Sequence, residues 1–481
     1  MKRLPITRLF KYLLYTVLLD VCFIGLSQAN TSPVTGLAIT NYDWKISIDY
    51  NKEMLFASCE IEVKNESESK IIQLPFILYR LLKVTSVKTS GTLPLSFTQD
   101  IKPFEDNNLL QVNFIRVTLK KPLLPKQSTK LVIDYEGTLH GYEEVGWLYV
   151  KDKIDPEFTI LRPDCKAYPE LGYPSNRINE QFPKGNFNYH ISVTLPDFLV
   201  VVNGGFLKEK RSERGVSSYQ FTNIKKAWRM DICISKYGVL SKNGLSVYYF
   251  NKDSLGAQTV LRYAQKVIEL YTKWWGPLAE FKSFTIIEIP QGFGSQADVT
   301  SILQSSSAFN DSTEMRQLYH ELSHLWNVDL VEPSPRWEEG LATFIEYLTI
   351  ERLENRAYLD YVSDWYMGVL KREVKSNEAL RTIPLIDFGK KGMTDYSYSL
   401  GMITFRLFYE IVGEEKFNEI IRKWYTQHNS VIPTTNDFME LSRQASEVDL
   451  SEFFNDWFIT SNYVDLLEKN YSFQELVRVY K

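Results

Sequence analysis

The sequence predicts two unlike domains in series: an all-β domain built as an antiparallel sandwich, then an α+β domain that ends in packed helices. Three observations predict this. Between residue 30 and about residue 238 the chain alternates apolar and polar residues, the period of a half-buried strand. Near residue 243 that period gives way to one close to 3.6. At 481 residues the chain also exceeds what one hydrophobic core serves, so two or three domains are expected.

The strand segments come in order. WKISIDY (44–50), EIEVKN (60–65), VNFIRVTL (112–119), KLVIDYEG (130–137), YHISVTLP (189–196) and SYQFTN (218–223) are rich in Val, Ile, Tyr and Thr. Ser90-Gly91, Pro125-Lys126 and Asn203-Gly204 separate them as turns. The domain layout read this way is 1–29 targeting segment, 30–240 β domain, 241–470 second domain and 471–481 tail. In the second domain GLSVYYF (244–250), FTIIEIP (284–290) and TSILQSS (300–306) read as strands. SLGAQTVLRYAQKVIELYTKWW (254–275) reads as an amphipathic helix. After residue 311 the chain reads as helices, through FRLFYEIVGEEKFNEIIRKWY (405–425) to SEFFNDWF (451–458).

Lys2, Arg3, Arg8 and Lys11 precede an apolar run from Tyr12 to Leu26, and Ser27-Gln28-Ala29 follows. That order is the pattern of a secretory signal cleaved after Ala29. The run is about 15 residues, short of the ~20 that span a bilayer. A secreted or extracytoplasmic protein is expected, with a membrane anchor as the alternative if the segment stays on. The mature chain keeps Cys59, Cys165 and Cys233, too few for a disulfide framework and without C-x-x-C spacing, so buried thiols are expected. A net charge of −4 with no strong basic cluster gives no footprint for nucleic acid.

One stretch carries chemistry: YHELSHLWNVDLVEPSPRWEEGLATFIEYL, residues 319–348. Asp311 is placed to cap the first helix, with Glu314 in the capping-box position. On that helix His320 and His324 stand at i and i+4, one turn apart on one face, so both can address one metal ion. Glu321 lies beside them, where a general base for an activated water belongs. A catalytic zinc needs a third protein ligand and an open fourth position. Ser334 and Pro335 are placed to start a second helix as N-cap and first residue. Glu339 and Glu346, seven apart, share one face of it, and Glu338 is turned about 100° away toward solvent. Gly340 and Ala342 leave room for the two metal-bearing helices to approach. Glu339 is therefore the expected third ligand. Glu346 is placed to hold a ligand histidine by its far nitrogen.

H-E-L-S-H followed by W-E-E-G-L-A-T-F-I-E-Y resembles the M1 (gluzincin) metallopeptidases, with some local likeness to M61 peptidases in H-L-W-N-V. The resemblance implies a saddle-like N-terminal β domain and a thermolysin-like catalytic domain. It implies one Zn2+ per chain held by His320, His324 and Glu339, with Glu321 as base. It also implies a tyrosine that stabilises the transition state, and Y-S-L-G places that residue at Tyr398, with Tyr396 nearby. The family's substrate strand matches Gly294, Ser295, Gln296, Ala297 and Asp298.

Three departures qualify the match. Only fourteen residues separate His324 from Glu339, fewer than the family pattern. Ala297 stands where the family has a glutamate for the substrate's α-amine, and Asp298 is one position off, on the other face of a strand. The chain ends near where the catalytic domain should, so a roofing helical domain is not expected and the cleft should be open. The expected function is a zinc peptidase acting on a peptide or protein, with exo- or endopeptidase action left open by Ala297. The alternative is a non-catalytic module that holds peptides or a partner on a peptidase-like fold.

Overall fold

The structure is a computed structural model, and it describes residues 36–175, 186–278, 283–328, 330–332, 335–353, 358–389, 391, 393, 395–428 and 432–481. The signal segment and Ser334 therefore lie outside the described residues. No helix among the described residues is long and apolar enough to cross a membrane.

The first seven strands are β1 (Leu37–Asp49), β2 (Met54–Asn65), β3 (Ile71–Tyr79), β4 (Leu82–Thr89), β5 (Ser96–Phe104), β6 (Asn107–Leu123) and β7 (Ser128–Gly137). Then come β8 (Thr159–Leu161), β9 (Glu170–Leu171), β10 (Asn188–Pro196), β11 (Val200–Val202), β12 (Phe206–Glu213), β13 (Val216–Thr222) and β14 (Ile232–Ser235). They form a seven-stranded sheet in the order β12-β13-β10-β1-β2-β7-β4, a four-stranded sheet β5-β6-β3-β9 and a small sheet β11-β14-β8. The inward residues of the two larger sheets share one core. Trp44, Cys59 and Ile61 come from one sheet, and Phe76, Ile115 and Val117 from the other. The alternation along β2 is regular enough that every second residue is buried, which is the period that made the strand legible. One pairing differs from the antiparallel expectation: β1 runs parallel to β10. The two are joined through the strands between them and not by a hairpin turn, so nothing forces opposite directions.

The second domain has a five-stranded sheet from β15 (Tyr237–Lys242), β16 (Leu245–Phe250), β17 (Phe284–Ile289), β18 (Gln296–Asp298) and β19 (Ser301–Ser305), in the order β15-β16-β17-β19-β18. Among the described residues β18 pairs only with β19 and stands at the edge of the sheet. Helix α1 (Ser254–Trp275) buries Ala257, Val260, Ala264, Val267, Tyr271 and Trp275, a stripe at three- and four-residue steps. It is followed by α2 (Ser307–Asn310), α3 (Arg316–Ser323), α4 (Trp337–Leu353), α5 (Tyr358–Ser376), α6 (Tyr396–Val412), α7 (Glu414–Gln427), α8 (Thr435–Ala445), α9 (Ser451–Phe454), α10 (Tyr463–Glu468) and α11 (Phe473–Tyr480). α4 and α6 are buried on almost every side and form the centre of the bundle. Residues 471–481, set apart in sequence as a tail, carry a docked helix. Ser472 and Glu475 cap α11 reciprocally, and Tyr480 accepts from Trp457 Nε1 at 3.0 Å and donates to Asp456 at 2.9 Å. Cys59, Cys165 and Cys233 are free and buried, as expected.

Candidate metal centre and active site

The histidine helix is assembled in three short pieces. Asp311 accepts from the Thr313 N–H at 3.0 Å and so caps a 3-10 turn, Ser312–Glu314, and not the α-helix itself. α3 follows, and the chain tightens again to 3-10 over His324–Trp326. His324 keeps right-handed helical angles, so the i, i+4 relation to His320 survives, and the two rings lie 4.9 Å apart. The Asn327 side chain meets His324 Nδ1 at 2.8 Å, which leaves Nε2 for another partner.

The second helix brings a carboxylate to that partner position. The Glu338 and Glu339 N–H groups donate to the Pro335 and Arg336 carbonyls at 3.2 Å, so the first turn forms before Trp337. Trp337 pins the turn by donating from Nε1 to Thr435 at 2.9 Å. Glu339 Oε2 then lies 3.3 Å from His320 Nε2 and 3.6 Å from His324 Nε2. The three ligand atoms all fall within 4.8 Å of one another. Glu338 turns away from them but is half-buried, not solvent-facing as the helical wheel suggested. Glu346, 5% exposed, sits behind: Oε2 is 3.3 Å from His320 Nδ1, and Oε1 accepts from Arg316 at 2.9 Å. A carboxylate on Nδ1 fixes the tautomer and aims Nε2 at the opposite side.

The charges at these three side chains suit a cation. Burial opposes protonation of His320, yet Glu339 and Glu346 outweigh it and push its pKa to about 10. Burial raises Glu339, but His324, His320 and Arg336 hold it well below the usual carboxylate range. Glu321 is raised by burial and by Glu339, against the pull of His320, His324 and Arg229. Two imidazoles and one carboxylate converging without a sulfur ligand are the donor set of a catalytic zinc site.

Tyr398 stands across from the ligands, its ring 6.1 Å from that of His320. Burial raises its hydroxyl pKa, Glu339 and Glu321 add to this, and Arg336 opposes it. Its place is set by a glycine contact. A Cβ on Gly340 would lie 2.4 Å from Gly401 Cα, so α4 and α6 touch backbone to backbone one turn from Tyr398. The expectation that Gly340 serves the approach of the two metal-bearing helices is thereby corrected. Gly340 faces the tyrosine helix, where a Cβ would meet Gly401 and the Ser397 carbonyl.

Arg336 belongs to the site and was missed in the sequence. Its Nη2 donates to Tyr398 Oη at 3.3 Å and its Nη1 to Glu339 Oε1 at 3.4 Å. The usable signal is its position three residues before Glu339 on the same helix face.

The strand residues divide between two sides. Gly294 takes a left-handed φ of +72°, and β18 begins two residues later. Ser295 donates to Gln317 Oε1 on α3 at 3.0 Å. Ala297 packs half-buried against the core of the second domain. Gln296 and Asp298 face the β domain instead. Gln296 Oε1 accepts from Arg229 at 2.8 Å and Arg162 at 3.2 Å, and its Nε2 donates to Asp164 at 2.9 Å. Arg162 in turn pairs with Asp152 and also donates to the Phe293 carbonyl at 3.2 Å. Asp298 is buried, and its pKa is pushed up to about 7 by burial and by Asp231, with Arg229 opposing. None of these ties to the β domain was foreseen.

Residues 267–457 match the family model described as the peptidase family M1 domain. Among solved structures, an M1 zinc metallopeptidase from Deinococcus radiodurans superposes with a TM-score of 0.62 at 14% identity, over 88% of this chain and 94% of that one. A mutant of an M1 zinc metallopeptidase from Deinococcus radiodurans bound to a Tyr-Ser-Ala substrate gives 0.61 at 14% identity over the same shares. A two-domain M1 zinc metallopeptidase mutant bound to L-arginine gives 0.57 at 13% identity, over 92% and 94%. Among curated proteins no match is found.

Proposed function

We propose, from the premise that this chain carries a divergent peptidase family M1 domain, that it hydrolyses peptide bonds with one zinc per chain and a weakly amine-selective cleft. The observation that carries the reading is the convergence of His320, His324 and Glu339, with Glu321 beside them and Tyr398 across. A zinc held by those three side chains would act as a Lewis acid and lower the pKa of a water molecule to about 7. Glu321 takes the proton from the attacking water at its carboxylate and passes it to the leaving amine. Tyr398 donates its O–H to the oxyanion that develops on the scissile carbonyl, a contact worth about 3 kcal/mol in comparable sites. Glu346 and Arg316 hold His320 in the orientation this needs. β18, an edge strand, offers its free side to an extended peptide, which would add as a further strand. The signal-like pattern over residues 1–29 supports an activity outside the cytoplasm, with a membrane anchor as the alternative if the segment stays on.

The test is metal analysis and peptide turnover on the purified chain. About one zinc per chain is expected, lost on His320→Ala, His324→Ala or Glu339→Ala and kept on Glu338→Ala. Glu321→Gln should keep zinc and fold and lose turnover, because an amide takes no proton from water. Full turnover by Glu321→Gln, or zinc retained after Glu339→Ala, would overturn the assignment.

A further inference from the structure

Arg336 stands between the two groups that the proposed reaction uses at its oxyanion side. Its guanidinium carbon lies 5.7 Å from the Tyr398 ring centroid, Nη2 donates to Tyr398 Oη, and Nη1 donates to Glu339 Oε1. Its side chain is 19% exposed, so the guanidinium sits mostly within the site. We infer that Arg336 is a positioning residue for Tyr398: by donating to the phenol oxygen it leaves the Tyr398 O–H free to donate to the substrate. This rests on the proposed function above.

A phenol has one O–H donor and an oxygen that accepts, whereas a guanidinium has five donors and no acceptor. The Arg336 contact therefore uses only the accepting side of Tyr398. Glu339 is the nearby carboxylate that a phenol O–H would otherwise be drawn to. Arg336 binds the Glu339 oxygen Oε1, while the histidines converge on Oε2, so both ends of that carboxylate are occupied from other directions. With those contacts made from other directions, the Tyr398 O–H is available to a substrate carbonyl oxygen on the cleft side. The guanidinium charge also polarises the phenol, which makes it the stronger donor. Arg336 immediately precedes α4 and its carbonyl accepts from the Glu339 N–H at 3.2 Å, so the segment that supplies the ligand also supplies the positioning cation.

The test is a double-mutant cycle on the zinc-loaded full chain, with kcat, KM, zinc content and melting temperature measured for Arg336→Ala, Tyr398→Phe, both together and Arg336→Lys. Arg336→Ala should lower kcat by about tenfold or more with zinc content and KM little changed. The double variant should lie within about threefold of Tyr398→Phe alone, because Arg336 has nothing to orient once the hydroxyl is gone. Arg336→Lys, which keeps one donor for Tyr398, should recover part of the loss. Fully additive losses, or a change in KM alone, overturn the inference while leaving the peptidase reading intact. Zinc loss in Arg336→Ala would assign the residue to Glu339 instead and also overturn it. A wild-type chain that binds zinc but turns over no peptide, or a Tyr398→Phe variant at wild-type rate, overturns the proposed function and this inference with it.

Discussion

Gly340 and Gly401 meet backbone to backbone where the helix carrying Glu339 crosses the helix carrying Tyr398. A Cβ on either would fall 2.4 Å from the partner's Cα, and neither neighbour is a side chain that can swing away. The contact therefore sets the distance from Glu339, the proposed zinc ligand, to Tyr398. Gly401→Ala should force α4 and α6 apart, lower stability by about 1–3 kcal/mol as overpacking does, and reduce kcat more than it reduces zinc content. A melting curve and turnover rates on one preparation check this. Wild-type stability and kcat in Gly401→Ala would mean the helices tolerate separation and the glycines are incidental.

The histidine orientation gives a second expectation. Glu346 holds His320 Nδ1 at 3.3 Å and is itself held by Arg316 at 2.9 Å. Glu346→Gln keeps the volume but removes the charge that favours an Nδ1–H tautomer. Zinc affinity should fall about tenfold or more, read by competition with a chelator of known affinity. Unchanged affinity would return Glu346 to a purely structural role.

Much of this was legible in the sequence because it depends on local periodicity. α1 runs from Ser254 to Trp275 as its apolar spacing predicts, and β2 buries alternate residues. His320, His324, Glu339 and Glu346 could be placed because helical spacing alone fixes which of them share a face. What stayed hidden depends on distant partners. Y-S-L-G placed Tyr398, but the contact of Gly401 with Gly340 needs the packing of two helices. Gln296 binds Asp164, Arg162 and Arg229, residues more than sixty positions away, and no pattern along the chain announces such a cluster. Arg336 is intermediate: its place three residues before Glu339 was readable, but an arginine there reads as surface charge until Tyr398 is seen beside it.

Asp298 gives a pH-dependent expectation. Burial and Asp231 raise its folded pKa to about 7, above an unfolded value near ~3.9. The native state then holds a proton that the unfolded chain releases between those values, so Asp298 costs stability progressively as pH rises from about 4 to about 7. Asp298→Asn removes that cost. The melting temperature of the variant relative to wild type should rise across that window and level off above it. A constant offset at every pH would show that the carboxyl is already ionised in the fold.

The amine question closes on the same strand. An ammonium taken into a site needs a carboxylate partner, because an unpaired buried charge is strongly disfavoured. Ala297 offers none on the face that packs toward the catalytic domain, and Asp298 points to the β domain, where Arg229 and Asp231 surround it. Gln296 is engaged by two guanidinium groups and Asp164, which holds β18 in this register. A shift that brought Asp298 to the cleft would break those bonds and leave Arg162 and Arg229 short of an acceptor. The strand is therefore expected to stay in place, and discrimination for a free N-terminus should be weak. Acetylating the N-terminus of a peptide substrate should change kcat/KM by less than about tenfold, or ~1.4 kcal/mol. Rates on paired free and acetylated peptides decide it. A hundredfold or greater preference for the free amine, abolished by Asp298→Asn, would show that the aspartate reaches the cleft and that the chain is a strict aminopeptidase.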